Sequence, residues 1–170
     1  MGVIAYLGVG ANLGRPEEQL QIAKALLRSH YAIRILKSSS MYRSDSIGNS
    51  PYNHHGLDSY INAVWQIRTS LPPYRLLSVL QSIELRLGRK RGRGGRNFPR
   101  KLDLDILLYG ERRFSSRSLT IPHPRMQQRR FVLSPLSEIS PRLLVPGFGR
   151  VQSLVNRSHI KAQTVELLAI

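Results

Sequence analysis

Two carboxylates stand one residue apart in Arg100-Lys-Leu-Asp-Leu-Asp-Ile-Leu-Leu-Tyr109. The alternation of a β-strand puts Leu102, Leu104 and Ile106 on one face and Asp103 and Asp105 on the other. Like charges roughly 7 Å apart along a strand repel one another. A hard cation with oxygen ligands relieves that repulsion and keeps positions open for phosphate oxygens and water, so the expected metal is magnesium. An isolated Asp-x-Asp also occurs on the wet face of ordinary strands. The surrounding cations argue for chemistry instead. Arg100 precedes the pair, and His123, Arg125, Arg129 and Arg130 follow in Thr120-Ile-Pro-His-Pro-Arg-Met-Gln-Gln-Arg-Arg130. Guanidinium forks suit phosphate oxygens, and a metal beside arginines points to the phosphate tail of a nucleotide.

Neither standard phosphate loop is present. The chain has no Gly-x-x-x-x-Gly-Lys-Ser/Thr, and Gly8-Val-Gly-Ala-Asn-Leu-Gly14 is one residue too long for the dinucleotide fingerprint. Those glycines read as a tight turn from strand to helix, with Gly10 also able to admit a flat ligand close to the backbone. Tyr60, Asn62 and Phe131 read singly as core or edge residues. As a set they have a use: two rings can sandwich a planar heterocycle, and an amide presents a donor and an acceptor side by side to its edge. Trp65 is assigned to the core.

The elements that position these residues follow from periodicity. Val3 to Val9 reads as a strand. Pro16, Glu17 and Glu18 open a helix striped by Leu20, Ala23, Leu26 and Leu27. Ala32 to Tyr42 reads as one long strand, 44–56 as a polar loop and Tyr60 to Thr69 as another strand. Pro72 and Pro73 open a second helix carrying Leu76, Leu77, Leu80, Ile83 and Leu87, which Gly88 ends. A basic glycine-rich stretch over about 88–97 reads as a mobile loop, followed by a strand from Leu102 to Tyr109. A short helix is expected from Arg130 to Glu138. Strand, helix, strand, strand, helix, strand implies an α+β fold: a ferredoxin-like antiparallel sheet with helices packed on one face, in a single domain over 1–170.

Composition bounds the rest. The chain has 170 residues and no cysteine, which excludes disulfides and thiolate chemistry. Its opening residues lack a basic leader or a long apolar span, so the expectation is a cytoplasmic protein without membrane contact. A sustained apolar seam is also missing, and a monomer is expected. Lys plus Arg number 26 against 10 Asp plus Glu, a formal net charge of +16, which implies a polyanionic partner. An RNA-binding module is the rival reading. Stacking platforms need aromatics interleaved with the basic residues, and between Arg86 and Lys101 only Phe98 qualifies. Carboxylates facing a nucleic-acid backbone would repel it, so no specific nucleic acid is expected.

The motifs also resemble a known family. Pro99-Arg-Lys-Leu-Asp-Leu-Asp105, Ile121-Pro-His123, Arg129-Arg-Phe131, Ser39-Ser-Met-Tyr42, Tyr60-Ile-Asn-Ala63 and Gln81-Ser-Ile-Glu84 stand in the order seen in 6-hydroxymethyl-7,8-dihydropterin pyrophosphokinases. The likeness runs from Ala5 to about Pro146. It implies transfer of pyrophosphate from ATP to the pterin in folate biosynthesis, with two Mg2+ ions on Asp103 and Asp105. Arg89, Arg91 and Arg100 would join the two aspartates in catalysis. Gln81, Glu84, Arg100, Thr120, His123 and Arg129 would bind ATP. Gly10, Ser44, Ile47, Tyr60, Asn62 and Phe131 would line the pterin pocket. Ser118 stands where many members carry an arginine, with Arg117 next to it.

Overall fold

The computed structural model describes residues 2–12, 14–45, 59–88 and 102–168. The basic stretch expected over 88–97, apart from Gly88, lies outside the described residues, as do Ile47, Arg89, Arg91 and Arg100. The described chain runs β1 (Val3–Ala11), α1 (Pro16–Arg28), β2 (Ile33–Ser38), β3 (Tyr42–Asp45), β4 (Ser59–Thr69), α2 (Pro73–Arg86) and β5 (Asp103–Tyr109). It continues through β6 (Phe114–Ser115), β7 (Thr120–Ile121), α3 (Arg130–Ile139), β8 (Leu144–Val145), β9 (Gly149–Arg150), α4 (Val151–Val155), α5 (Ser158–Lys161) and β10 (Val165–Leu167). No helix among the described residues is long and apolar enough to cross a membrane.

The main sheet is antiparallel. β1 lies between β4 and β5, and the far edge of β4 pairs first with β3 and then with β2. β2 and β3 together occupy the place of the single long strand expected over Ala32–Tyr42. The strand breaks at Ser39–Met41, where serine hydroxyls take over backbone partners. Ser39 Oγ accepts the Val64 N–H at 2.9 Å and donates to the Ser40 carbonyl at 2.7 Å. The break lets β3 restart along β4 and bring Ser44 opposite Tyr60.

Helices cover both faces of the sheet, which corrects the one-sided arrangement expected from element order. Ala5, Leu7, Val9 and Ala11 of β1 pack against Leu20, Ala23 and Leu27 of α1 and Leu76, Leu80 and Ile83 of α2. On the other face Tyr6, Val64 and Leu108 pack against Val132, Leu133 and Leu136 of α3 and Val151 and Leu154 of α4. Each fully buried leucine here contributes about 1.5–3 kcal/mol. Trp65 is 2% exposed, in the core as expected.

Both long helices start as their sequences predict, with Pro16 and Pro73 in the first turn, where the missing N–H needs no partner. α2 is followed by Gly88 at φ +97°, a left-handed conformation that glycine adopts without strain.

Candidate active site

The pairing register gathers residues scattered along the chain onto one face. Gly10 of β1 lies between Asn62 of β4 and Asp103 of β5, and Gly8 lies between Val64 and Asp105. Ser44 of β3 opposes Tyr60 of β4, two residues from Asn62. Directly opposed residues share a face, and the strand period extends that face to every second residue. Gly10, Ser44, Tyr60, Asn62, Asp103 and Asp105 therefore share a surface, on the side where α3 packs.

Gly8 and Gly10 do not form the turn expected of them. Both lie within β1, and their use is the absent side chain. A Cβ at Gly8 would stand 3.1 Å from Leu107, and one at Gly10 would stand 3.3 Å from Asn62 Oδ1. Gly10 thus leaves a shelf beside the Asn62 amide. That amide is buried and oriented: Asn62 Nδ2 donates to Ser44 Oγ at 2.8 Å and to the Tyr60 carbonyl at 3.3 Å. Asn62 and Ser44 are 5% and 4% exposed, so an unsatisfied polar atom here would be costly and the pair holds its geometry.

Asp103 and Asp105 are half-buried at the start of β5. His123 follows β7, and its backbone N–H donates to the Leu107 carbonyl at 2.9 Å, which fixes the segment along β5. Its Nδ1 accepts the Arg125 N–H at 3.3 Å, leaving the ring proton on Nε2, 3.9 Å from Asp105 Oδ2. Burial, reinforced by Arg129 and Arg125, pushes the His123 pKa down to about 4 against the pull of Asp103. At neutral pH His123 is an uncharged donor, so its approach to Asp105 is a polar contact and not an ion pair.

Burial also lowers the Arg129 pKa, with Arg125 acting in the same direction and the two aspartates opposing it. Its guanidinium lies 5.5 Å from the centre of the Phe131 ring, within cation–π range. Phe131 opens α3 beside the shared face and is half-buried. Asp103, Asp105, His123 and Arg129 therefore form one electrostatic group.

The remaining expectations divide. Thr120 is half-buried in β7, and Gln81 is exposed on α2. Glu84 is 2% exposed, and its Oε1 accepts the Leu104 N–H at 2.8 Å, which gives it a partner in β5. Arg130 turns away from the aspartates; its Nη1 donates to the Lys161 and Gln163 carbonyls, each at 2.8 Å, and ties α3 to the C-terminal segment. Sequence reasoning missed the clamp built by Glu138. Its carboxylate accepts from Ser40 N at 2.9 Å, Ser40 Oγ at 3.0 Å and Tyr42 Oη at 2.7 Å, holding α3 to β3. Burial, then the bond to Glu138, raises the Tyr42 pKa. Nearly a hundred residues separate these partners, so no local pattern announces them.

The donor set suits a hard divalent cation. Asp103 and Asp105 supply carboxylate oxygens from successive positions on one strand face, and no cluster of three or more His, Cys, Asp or Glu occurs among the described residues. A metal here would complete its shell with water or phosphate oxygens, as magnesium commonly does.

Known proteins resemble this chain over most of its length. The family model for 7,8-dihydro-6-hydroxymethylpterin-pyrophosphokinase (HPPK) matches residues 6–141. The chain belongs to the HPPK family. It is therefore an enzyme of the pyrophosphokinase class, in folate biosynthesis. It is 43% identical over 140 residues to the 2-amino-4-hydroxy-6-hydroxymethyldihydropteridine pyrophosphokinase of Bacillus subtilis, covering 82% of this chain and 79% of that one. Against the Haemophilus influenzae protein of the same name the identity is 40% over 155 residues, 91% and 92% of the two chains. Among solved structures, wild-type Plasmodium falciparum HPPK-DHPS with pteroate shares the HPPK fold at a TM-score of 0.71 and 14% identity. That match covers 95% of this chain and spans 45% of the Plasmodium chain.

Proposed function

We propose that this HPPK transfers the pyrophosphoryl group of ATP to the hydroxymethyl oxygen of 6-hydroxymethyl-7,8-dihydropterin and releases AMP, with Asp103 and Asp105 holding two magnesium ions. The observation that carries this reading is the register that sets Gly10 between Asn62 and Asp103. Asn62 and Asp103 are two strand spacings apart, about 10 Å. That span suits a bicyclic ring whose edge meets an amide and whose one-carbon arm reaches toward a metal.

The Asn62 amide, oriented by Ser44 and the Tyr60 carbonyl, reads the pterin edge in this proposal. Gly10 lines the pocket, a role Ile47 shares on the family resemblance alone, and the rings of Tyr60 and Phe131 stack on the pterin. Arg129 holds phosphate oxygens as a fixed cation, and neutral His123 donates from Nε2 to the same group. Thr120, Gln81, Arg89, Arg91 and Arg100 complete the ATP contacts, a role supported by the family resemblance alone. Magnesium held by Asp103 and Asp105 would supply charge neutralisation for the phosphates and acidity for the hydroxymethyl group. The hydroxymethyl group loses its proton to solvent, its oxygen bonds to the β-phosphorus, the anhydride bond to the α-phosphate breaks, and AMP leaves. Positioning and electrostatics provide most of the rate, as is usual in phosphoryl transfer.

The strand order β5-β1-β4-β2, with α1 and α2 on one face, supports a ferredoxin-like arrangement. In this proposal the protein is a cytoplasmic monomer in a single domain, and the HPPK family supports small-molecule substrates, ATP and the pterin. The test is incubation of the chain with ATP, Mg2+ and 6-hydroxymethyl-7,8-dihydropterin, followed by chromatographic separation of nucleotides. AMP that forms only when the pterin is present is the expected result. ADP, or no turnover by folded protein, contradicts the reading.

A further inference from the structure

Glu84 is the one charged side chain in the buried class among the described residues, at 2% exposure. A carboxylate removed from water is costly unless strong hydrogen bonds compensate. Its Oε1 accepts the Leu104 N–H at 2.8 Å, across a separation of 20 residues. Leu104 is the residue between Asp103 and Asp105. Among the described residues β5 is the terminal strand of its sheet, paired with β1 along one side only. The Leu104 N–H would otherwise be a donor without a ladder partner on an outer edge. Two like charges flank it, and their repulsion works against strand order. A charged acceptor bonded to that amide is stronger than a neutral one. It also joins the last turns of α2 to the first residues of β5 directly.

We propose that Glu84 is a positioning residue for the metal-binding strand: by accepting the Leu104 N–H it holds the two aspartates at the spacing a divalent cation needs. This inference rests on the metal role proposed for Asp103 and Asp105. It assigns Glu84 a task different from the nucleoside contact that the family resemblance implies. Both carboxylates depend on the path of one backbone segment, so a small relaxation at Leu104 moves them together.

The test compares wild type with Glu84→Gln, which keeps an oxygen acceptor, and Glu84→Met, which keeps the volume and removes the acceptor. Two readouts are taken: amide hydrogen exchange at Leu104, and Mg2+ affinity by titration calorimetry with a non-hydrolysable ATP analogue bound. Expected in Glu84→Met is Leu104 exchange faster by about tenfold or more, and Mg2+ affinity weaker by a similar factor. Expected in Glu84→Gln is recovery of most of both. The proposal is overturned if Leu104 protection is unchanged in Glu84→Met. It is equally overturned if both variants lose affinity for the analogue while their Mg2+ affinity stays at the wild-type value, since that pattern belongs to a nucleoside contact. Should Glu84→Met fail to fold, a trans-hydrogen-bond scalar coupling between Leu104 15N and the Glu84 carboxylate carbon in wild type replaces it, and absence of that coupling refutes the contact. The exchange readout requires no turnover, so failure of the pyrophosphokinase reading and failure of this inference are seen separately.

Discussion

Gly10→Ala adds one methyl group at the centre of the proposed pterin shelf. That methyl would lie 3.3 Å from Asn62 Oδ1, and its next neighbour, the Ile61 carbonyl, is at 4.0 Å. The strand can therefore accept it, and the Asn62 side chain must yield by a few tenths of an ångström. Asn62 has little room to do so, because Ser44 Oγ and the Tyr60 carbonyl hold its Nδ2 and it is 5% exposed. Replacing glycine by alanine at a compatible position stabilises by about 0.4–1 kcal/mol through the unfolded chain. The tight contact offsets that gain, and net stability should stay within about 1 kcal/mol of wild type. Pterin binding should suffer more. Displacing the amide forfeits one or two hydrogen bonds at about 0.5–1.5 kcal/mol each, so the pterin KM should rise by roughly 2- to 150-fold. ATP binding should be unaffected. Steady-state kinetics at saturating ATP, with thermal melting alongside, provide the assay. A pterin KM within twofold of wild type, with an unchanged melting temperature, would refute the shelf.

Asp103→Ala and Asp105→Ala should each lower kcat by about two orders of magnitude or more. Near-normal turnover in either would sink the metal assignment. Arg129→Ala should raise the ATP KM, and Arg129→Lys should restore it only in part, because the ammonium lacks the fork and the planar contact with Phe131. Full recovery by lysine, read from ATP titrations, would argue against a forked contact. Tyr42→Phe removes the 2.7 Å bond to Glu138 and should cost about 1 kcal/mol in denaturant unfolding, at the low end for a charged acceptor because Glu138 is exposed. The predicted ATP KM of that variant is the wild-type value.

Where one periodicity governed a segment, the sequence was legible. The proline starts, the leucine stripes of α1 and α2 and the left-handed Gly88 follow from local rules, and the Asp103/Asp105 alternation in β5 follows from the strand period. The Ala32–Tyr42 segment misled because its serines satisfy backbone groups that a continuous strand would pair, and that competition becomes visible only once Val64 lies alongside. Gly8 and Gly10 read as a turn because their value is steric and set by Leu107 and Asn62, partners far along the chain. The helix from Arg130 was expected, but not its place on the second face of the sheet, because that face also carries polar groups. Arg130 and Arg129 are adjacent and chemically alike, yet one bonds backbone carbonyls and the other stands near the aspartates. Residue type alone could not separate them.

The central claim is that the β- and γ-phosphates move together. ATP radiolabelled at the β-phosphate, incubated with the chain, Mg2+ and 6-hydroxymethyl-7,8-dihydropterin, tests it directly. The account predicts label in a pterin diphosphate and unlabelled AMP. Label retained in ADP would contradict it, because the γ-phosphate alone would then have been transferred.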